Sequence, residues 1–358
     1  MKFAKTLAVL LIGPLVGAGL IVYASALPQA EPNATLDLSP SSPTAQGASA
    51  TSMSVTFLSE TSIAVGLCQR SSDSACELSV IRWENGVLRV IARTHRFAPT
   101  QMEIHPSTGR ILTTPKGKLP ATLYSEDLSV GQELVPLHRV SQSGATVAEP
   151  NRGGWKLYRL ASRLEPLREG TGELQAVSER VVVIRDGDLL RTETLEGKPV
   201  ASFSLRPAKK CYSSVALVGD SLYVRDCEGA RIVDFSGREQ LRVRPPAGWG
   251  LRPTSSDNGK RLLFHYFDRK ISAVRSVGED VVATATLGLG VPDEQDNREQ
   301  IQVVDTTNGN SCFDRKRSGD LLRNAASISP SGEFVAIGSA GSLSVYRLPA
   351  VCEMKTTK

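Results

Sequence analysis

The segment SPSGEFV at Ser329–Val335 joins a tight turn to an apolar strand. The same combination recurs as SSDNGKRL at Ser255–Leu262 and as HPSTGRIL at His105–Leu112. A second unit, a strand that ends in Asp and is followed by a Gly turn, occurs as IQVVDTTNG at Ile301–Gly309 and in shorter form as IVDFSG at Ile232–Gly237. Repeated strand-and-turn units along one chain are typical of repeat architectures.

Short alternating runs fill the chain between these units. Leu241–Arg244 and Ser202–Leu205 alternate apolar with polar residues, which predicts strands with one buried face. Pairs such as Asn85-Gly86 and Asp186-Gly187 tolerate the positive φ of hairpin turns, so the strands are expected to be antiparallel. The apolar residues in 155–167 have the spacing of one face of a helix. A proline near the end of this segment and the absence of a helix cap nevertheless favour two strands there.

The two kinds of unit resemble the WD40-like β-propeller repeats of exported bacterial proteins. The resemblance covers most of residues 53–358, is poor between Ala121 and Leu205, and implies an all-β propeller with blades of four antiparallel strands. At 40 to 45 residues a blade, this region predicts seven blades, with six or eight as alternatives. Met53–Leu58 is the expected closing strand of the ring. The blades are expected to begin near Met53, Thr100, Gly144, Glu173, Cys211, Leu251 and Asn324.

The N-terminus has the pattern of an export signal. Lys2 and Lys5 precede an apolar run, Leu7–Tyr23, which ends in the small-residue motif Ala24–Ala26. We therefore expect a signal peptide at 1–26, with an uncleaved membrane anchor as the alternative, because the run is just long enough to span a bilayer. Residues 27–52 are rich in Ala, Ser, Pro and Thr and predict a disordered linker, and residues 53–358 are expected to form the propeller.

The cysteine count supports an oxidising compartment. An even number of cysteines in an exported chain, without a C-x-x-C pair, favours disulfides over metal ligands. Spacing predicts three bonds between neighbours in the sequence, and six free thiols are the alternative. The expected pairs are Cys68 with Cys76, Cys211 with Cys227, and Cys312 with Cys352.

Charge and composition limit the partners. The net charge of +5 includes Lys2 and Lys5, so about +3 remains without the leader, which is too small a bias to predict nucleic-acid binding. We expect contact with a membrane through the N-terminal segment alone, if that segment is uncleaved. A monomer is expected, located in the periplasm or at the cell surface, with anchoring to the inner membrane as an alternative.

The search for catalytic motifs predicts no catalytic, cofactor or metal residue. No Gly-x-Ser-x-Gly elbow or P-loop occurs, and none of the four histidines is paired at i, i+4. One stretch is rich in acidic residues and is interpreted as a solvated loop. Two short basic clusters are interpreted in the same way. Trp83, Trp155 and Trp249 are interpreted as residues that pack between or within blades. The acidic stretch contains Asp293, Glu294, Asp296 and Glu299, and the basic clusters are Lys209-Lys210 and Arg315-Lys316-Arg317.

These observations predict a binding or scaffold module that holds a protein or a cell-envelope polymer. The alternative is a propeller enzyme, a lyase or glycoside hydrolase, with a carboxylate site at the channel mouth. A third hypothesis is a structural surface protein that requires no ligand.

Overall fold

The structure, a computed structural model, is all-β in the residues that it describes, which confirms the expected fold class. In that part of the chain, no helix is long and apolar enough to cross a membrane. The described residues are 31–38, 50–69, 75–97, 102–115, 119–129, 131–151, 153–205, 214–226, 229–245, 249–250, 253–267, 298–318, 325–339 and 342–352. Several sequence-based expectations lie outside them, namely those for residues 1–26, Lys209, Lys210, Cys211, Cys227, Asp293, Glu294 and Asp296.

The first half of the chain supplies one early strand and three blades. Strand β1 spans Ala34–Asp37. Blade 1 contains β2 (Ala50–Phe57), β3 (Ser62–Gln69), β4 (Ala75–Glu84) and β5 (Val87–Phe97). Blade 2 contains β6 (Met102–Ser107), β7 (Arg110–Pro115), β8 (Thr122–Ser125) and β9 (Gly131–Glu133). Blade 3 contains β10 (Arg139–Val140), β11 (Thr146–Asn151), β12 (Gly154–Leu160) and β13 (Leu164–Thr171).

The second half supplies the other four blades. Blade 4 contains β14 (Glu173–Val177), β15 (Val181–Asp186), β16 (Leu189–Thr194) and β17 (Pro199–Ser204). Blade 5 contains β18 (Ser214–Val218), β19 (Ser221–Asp226), β20 (Gly229–Asp234) and β21 (Glu239–Val243). Blade 6 begins with two short pieces that both pair with the next strand, and it contains β22 (Trp249–Gly250), β23 (Thr254–Ser255), β24 (Arg261–Phe267), β25 (Arg298–Asp305) and β26 (Ser311–Ser318). Blade 7 contains β27 (Ala326–Ile328), β28 (Phe334–Ser339), β29 (Ser342–Arg347) and β1.

Seven blades of four antiparallel strands therefore form the propeller, as the repeat arithmetic predicts. Every blade begins within five residues of its predicted start, since the Gly turns that mark the repeats also mark the hairpins. The region interpreted as two strands, 155–167, forms β12 and β13.

The core of the molecule lies between the blades. The described buried apolar residues form seven clusters, and each cluster joins two successive blades, including blade 7 to blade 1. In β15, Val182 and Ile184 pack toward blade 3, whereas Val183 packs toward blade 5. Such strands are buried on both faces, so their sequences are continuous runs of apolar residues. The outer strand β17 comes closest to the expected alternation, because half-buried and exposed positions alternate from Val200 to Ser204.

The ring is closed by β1, which pairs antiparallel with β29 of blade 7. Asn33 extends this ladder, because its amide donates to the carbonyl of Val345 at 2.8 Å. The closing strand is therefore not Met53–Leu58, which belongs largely to β2 in blade 1, and residues 34–37 form a strand where the sequence predicts a linker. Leu36 packs on the apolar cluster between blades 7 and 1, and Leu38 is buried in it. Burial of these side chains gives the short strand its stability.

Arg261 fastens the C-terminal segment to blade 6. Its buried guanidinium donates to Asp305 at 2.5 Å and to the carbonyl of Ala350 at 3.0 Å. The same group contacts the sulfurs of Cys312 and Cys352, whose Cα atoms are 4.5 Å apart in a disulfide. Burial raises the pKa of Asp305, but hydrogen bonds from Thr307 and the charge of Arg261 bring it below the usual value.

Loop length predicts how much each described disulfide stabilises the fold. The bond between Cys312 and Cys352 spans 40 residues, and the bond between Cys68 and Cys76 spans eight. If loop entropy dominates, replacing both members of the long-range pair by Ser lowers the free energy of unfolding by about 4 kcal/mol, against about 2.5 kcal/mol for the short-range pair. Urea unfolding of the two double variants tests this order, and a larger loss for the short-range pair would contradict it.

Candidate functional site

The channel along the ring axis forms a cavity with a volume of about 880 Å³. We call the first strand of each blade its inner strand, and these strands line the channel. Eight ionisable residues face the cavity, and blades 2 and 3 supply six of them. The eight are Glu103, His105, Arg110, Glu126, His138, Arg139, Asp257 and His265.

Small and apolar groups form much of the rest of the channel wall. Blades 5 and 7 contribute no ionisable side chain to it; they supply residues such as Val215, Leu217 and Ile328, and blade 6 adds Pro253. The charged side chains of the channel are therefore concentrated on blades 2 and 3, with Asp257 and His265 added by blade 6, and apolar groups lie among them around the wall. This composition is that of a site for a ligand with both polar and apolar parts.

One end of the channel is bridged by Gln142. This residue follows the inner strand of blade 3, and its side-chain amide donates to the carbonyl of Ser255 at 2.8 Å and to Asp257 Oδ1 at 2.9 Å. Both acceptors belong to blade 6, which is not adjacent to blade 3 in the ring. The side chain of Gln142 thus connects two non-adjacent blades across this end of the channel.

The turns that follow the inner strands meet around this bridged mouth, and we call this side the turn face. Glu179 of blade 4 accepts a hydrogen bond from Ser143 of blade 3, and Ser331 of blade 7 donates its amide and hydroxyl to Glu60 of blade 1. Gly219 and Gly259 let the turns of blades 5 and 6 touch, since a Cβ on Gly259 would lie 3.1 Å from the Cα of Gly219. Contacts between blades therefore fix the turn face.

Three carboxylates lie at the turn face, and the charges of two of them, Glu60 and Glu179, act on the third, Asp257. Burial raises the pKa of Asp257, the hydrogen bond from Gln142 lowers it, and the charges of Glu60 and Glu179 raise it again, so that the pKa lies above the usual range. Hydrogen bonds from Ser143 and Ser141 outweigh burial at Glu179 and lower its pKa.

His105 lies on the inner strand of blade 2, partly shielded from solvent. Its Nε2 atom is 3.2 Å from the hydroxyl of Thr114 and 3.9 Å from the carboxylate of Glu103. Burial lowers the pKa of His105, and the charge of Glu103 offsets part of that effect. Burial therefore favours the neutral imidazole at this position.

The neighbouring inner strands place a guanidinium at the same cavity. Arg139 donates from Nε to the carbonyl of Gln175 in blade 4 at 3.1 Å and from Nη1 to the carbonyl of His138 at 2.9 Å. These two carbonyls hold the guanidinium at the channel wall.

A buried pair on blade 6 was not expected from the sequence. Glu299, interpreted as part of a solvated acidic loop, lies in β25 with 2% of its side chain exposed and accepts a short hydrogen bond from His265 of β24. The interpretation is wrong for Glu299 because the pairing of β24 with β25 buries this residue in the blade, next to the imidazole of His265. Proximity in the sequence to other acidic residues gave no signal of this pairing.

The other described residues that the sequence pointed to lie away from the channel. Cys68 and Cys76 are joined in a disulfide between β3 and β4, with Cα atoms 4.1 Å apart. Trp83 and Trp155 are buried between blades. Arg315 lies in β26 rather than in a loop, with its guanidinium 4.9 Å from the ring centroid of Tyr346. None of these is a channel residue, so the candidate site consists of the inner strands and their turns.

Comparison with known proteins identifies the fold. No protein-family model matches the chain, and no curated protein sequence matches it. The chain is similar to the solved structure of U3-55K, with a TM-score of 0.53 and 12% sequence identity over 89% of this chain and 99% of that chain. It is also similar to Hsv2 of Kluyvelomyces marxianus, with a TM-score of 0.49 and 9% identity over 82% and 90% of the respective chains. Identities this low show a WD40-like propeller fold alone.

The raised pKa of Asp257 predicts a pH-dependent effect on stability. A carboxyl whose pKa is higher in the folded state than in the unfolded state destabilises the fold once both states are ionised. We expect Asp257→Asn to raise the free energy of unfolding at pH 7, because Asn still accepts from Gln142 and removes the repulsion of Glu60 and Glu179. The difference should vanish as the pH falls below the unfolded-state pKa of about 3.9.

Urea unfolding at a series of pH values measures this difference. Asp220→Asn, at the exposed turn of blade 5, is the control for loss of a surface charge on the turn face. A stabilisation of Asp257→Asn that does not depend on pH would contradict the explanation.

Proposed function

We propose that this protein is an exported β-propeller that binds a partner protein in its central channel. The observation that carries the proposal is the cavity of about 880 Å³, whose wall combines charged and apolar groups and which Gln142 bridges at the turn face. We infer that a ligand enters from the side opposite this bridge, and we call that side the open face. A cavity of this size is in the range of specific ligand sites. A fixed ring of blades holds the wall residues in place before binding, which lowers the entropic cost of recognition.

A protein segment suits the channel better than an envelope polymer does. Because Gln142 spans one mouth, a long polymer cannot thread through the ring without breaking its hydrogen bonds to blade 6. A chain end or a protruding loop can enter from the open face and stop at the bridge. Its polar groups would contact blades 2 and 3, and its apolar side chains would contact blades 5 and 7.

Export is supported by the two described disulfides and by the leader pattern at residues 1–26. Disulfides persist outside the reducing cytoplasm. Fractionation of the native cells tests this part of the proposal. Recovery of the protein from the cytoplasm, with its first 26 residues attached and its thiols reduced, would contradict export.

An enzyme with a carboxylate site at the channel mouth is the second candidate, and the three turn-face carboxylates are the observation that favours it. Their hydrogen bonds point to a structural role instead. Glu179 holds the turn of blade 3 through Ser143, and Glu60 holds the turn of blade 7 through Ser331. Asp257 accepts the bridge from Gln142. Each carboxylate therefore has a function in fixing the ring, and binding remains the function that the geometry supports better.

Filling the channel tests the proposal. Thr254 is exposed and lines the cavity on blade 6, so Thr254→Trp adds bulk without removing a core side chain. Ser202→Trp, on the exposed outer strand of blade 4, is the matched control. With a photoreactive amino acid at Leu119, which is exposed between β7 and β8 on the open face and outside the channel lining, we expect a protein to be cross-linked by the parent and by the control in extracts of the native envelope. We expect Thr254→Trp to reduce this capture at least about tenfold, because the indole would displace the ligand from a few contacts in a central pocket.

The captured protein is then identified, purified and titrated against the three forms. Equal affinity for all three would overturn binding in the channel. If the parent captures no protein from any envelope extract, the proposal fails as well.

A further inference from the structure

Strand β5, the outer strand of blade 1, is the longest described outer strand of the propeller. It spans Val87–Phe97, has 11 residues, and pairs with no described strand along its outer edge. The other outer strands have three to eight residues, and they are β1, β9, β13, β17, β21 and β26. An outer strand presents backbone N–H and C=O groups at its edge, so a long one is a template for pairing with a further strand.

The composition of β5 favours pairing at this edge. The two outer strands of eight residues are protected, because β13 contains Pro166 and β26 contains four consecutive charged residues, 314–317. Proline removes a ladder donor, and charged side chains at an edge oppose pairing. Strand β5 has no proline, and residues 87–92 at its start contain a single charged side chain, Arg89. This part of the strand is therefore where the sequence opposes pairing least.

Two apolar side chains are exposed on the same strand. Val87 is 48% exposed and Ile91 is 46% exposed, and no other described strand carries two large apolar side chains that are so exposed. Ile91 is the extra residue of a β-bulge, because two successive residues of β4 pair with Val90 and Ala92. A bulge leaves its extra residue without a partner in the ladder. The edge thus offers apolar contact surface to the side chains of an added strand.

Arg89 adds a positive charge to this edge. It is exposed, lies directly opposite Arg82 of β4, and has no acidic partner among the described residues. The neighbouring cations are partnered, since Arg82 is 3.9 Å from Glu84 and Arg93 contacts Glu77 at 3.4 Å. Like charges directly opposite each other destabilise an antiparallel pair. An anionic side chain beside Arg89 would offset this repulsion.

We propose that residues 87–92 of β5 form a docking surface, which adds an extended, acidic segment of a partner protein to blade 1. Backbone hydrogen bonds along the edge supply affinity in strand addition, and alternate side chains supply specificity. An acidic side chain would lie beside Arg89, and apolar side chains would contact Val87 and Ile91. None of these three residues lines the channel, so this surface is separate from the site of the proposed function.

A second copy of this chain fits the edge less well than an acidic segment does. Antiparallel pairing of two copies over residues 87–92 would place Arg89 of each copy on one short two-stranded ribbon, where like charges repel. The bulge also bends the strand, so two copies would have to match the same bend twice. Charge complementarity therefore selects a segment that is rich in Glu or Asp.

Fluorescence anisotropy with a synthetic peptide tests the surface. The probe is the octapeptide Glu-Val-Thr-Val-Glu-Val-Thr-Val with a rhodamine dye at its N-terminus, and a second probe has Lys in place of both Glu residues. We expect the parent protein to bind the Glu probe about tenfold more tightly than the Lys probe, because an attraction to Arg89 is replaced by a repulsion. Added salt should reduce this difference, since exposed charges are screened.

Arg89→Glu is the matching change in the protein. The new carboxylate would face Arg82 across the ladder, so the variant is expected to fold. It should bind the Glu probe about tenfold more weakly than the parent does and should prefer the Lys probe. Arg163→Glu, at the exposed turn between β12 and β13 of blade 3, is the matched control and should bind both probes as the parent does.

Backbone methylation tests whether the peptide binds as a strand. Successive amides of an extended peptide point to opposite sides, so only every second amide faces β5. Of two Glu probes that are N-methylated at odd or at even positions, one should lose binding and the other should retain most of it. Hydrogen exchange should show that the bound Glu probe slows exchange of the amides of β5 and leaves those of β17 unchanged.

The outcomes separate this surface from the channel. Thr254→Trp should leave binding of the Glu probe unchanged; a loss of binding in that variant places the peptide in the channel and overturns the inference, while the proposed function stands. Absence of binding, unchanged exchange of the β5 amides, equal loss with both methylated probes, or equal affinity of the parent and Arg89→Glu also overturns it. A dimer of the parent in sedimentation that the Glu probe dissociates would assign the edge to a second copy and overturn the acidic partner.

Discussion

Pairing of β1 with β29 is the constraint on which the rest of the structure depends. It brings residues 34–37 into the same sheet as residues 326–347, and thereby ties the beginning of the described chain to its end. Without it, the apolar cluster that contains Leu36, Leu38 and Val345 would lose part of its cover. A blade cannot bury both faces by itself, so a ring with one open interface would expose apolar surface on two blades.

Closure also determines what the channel contains. Residues that are far apart in the sequence meet in the channel because the inner strands of the blades surround the ring axis. The bridge from Gln142 to blade 6 and the contacts among Glu60, Glu179 and Asp257 exist only when non-adjacent blades are held at fixed distances. The chemistry of the cavity is therefore a property of the closed ring and not of any single blade.

Local patterns in the sequence predicted the blades well, because the Gly turns that limit each hairpin are local features. The closing strand was missed since Ala-Thr-Leu-Asp at 34–37 has one large apolar residue and lies in a segment of linker-like composition. The histidines of the channel were missed for a different reason. Their neighbours in the sequence show nothing unusual, and only the position of each within or beside a channel-facing strand brings them together. Glu299 was misread because a local excess of acidic residues concealed a partner 34 residues away.

Hydrogen exchange on two truncated chains tests ring closure most directly. Deletion of residues 1–30 keeps β1, and deletion of residues 1–38 removes it. The account predicts that the shorter deletion leaves the amides of β29 protected as in the full chain. The longer deletion should speed their exchange and lower the free energy of unfolding by at least about 2 kcal/mol, the value of burying one leucine. Unchanged protection of β29 after removal of β1 would contradict the account.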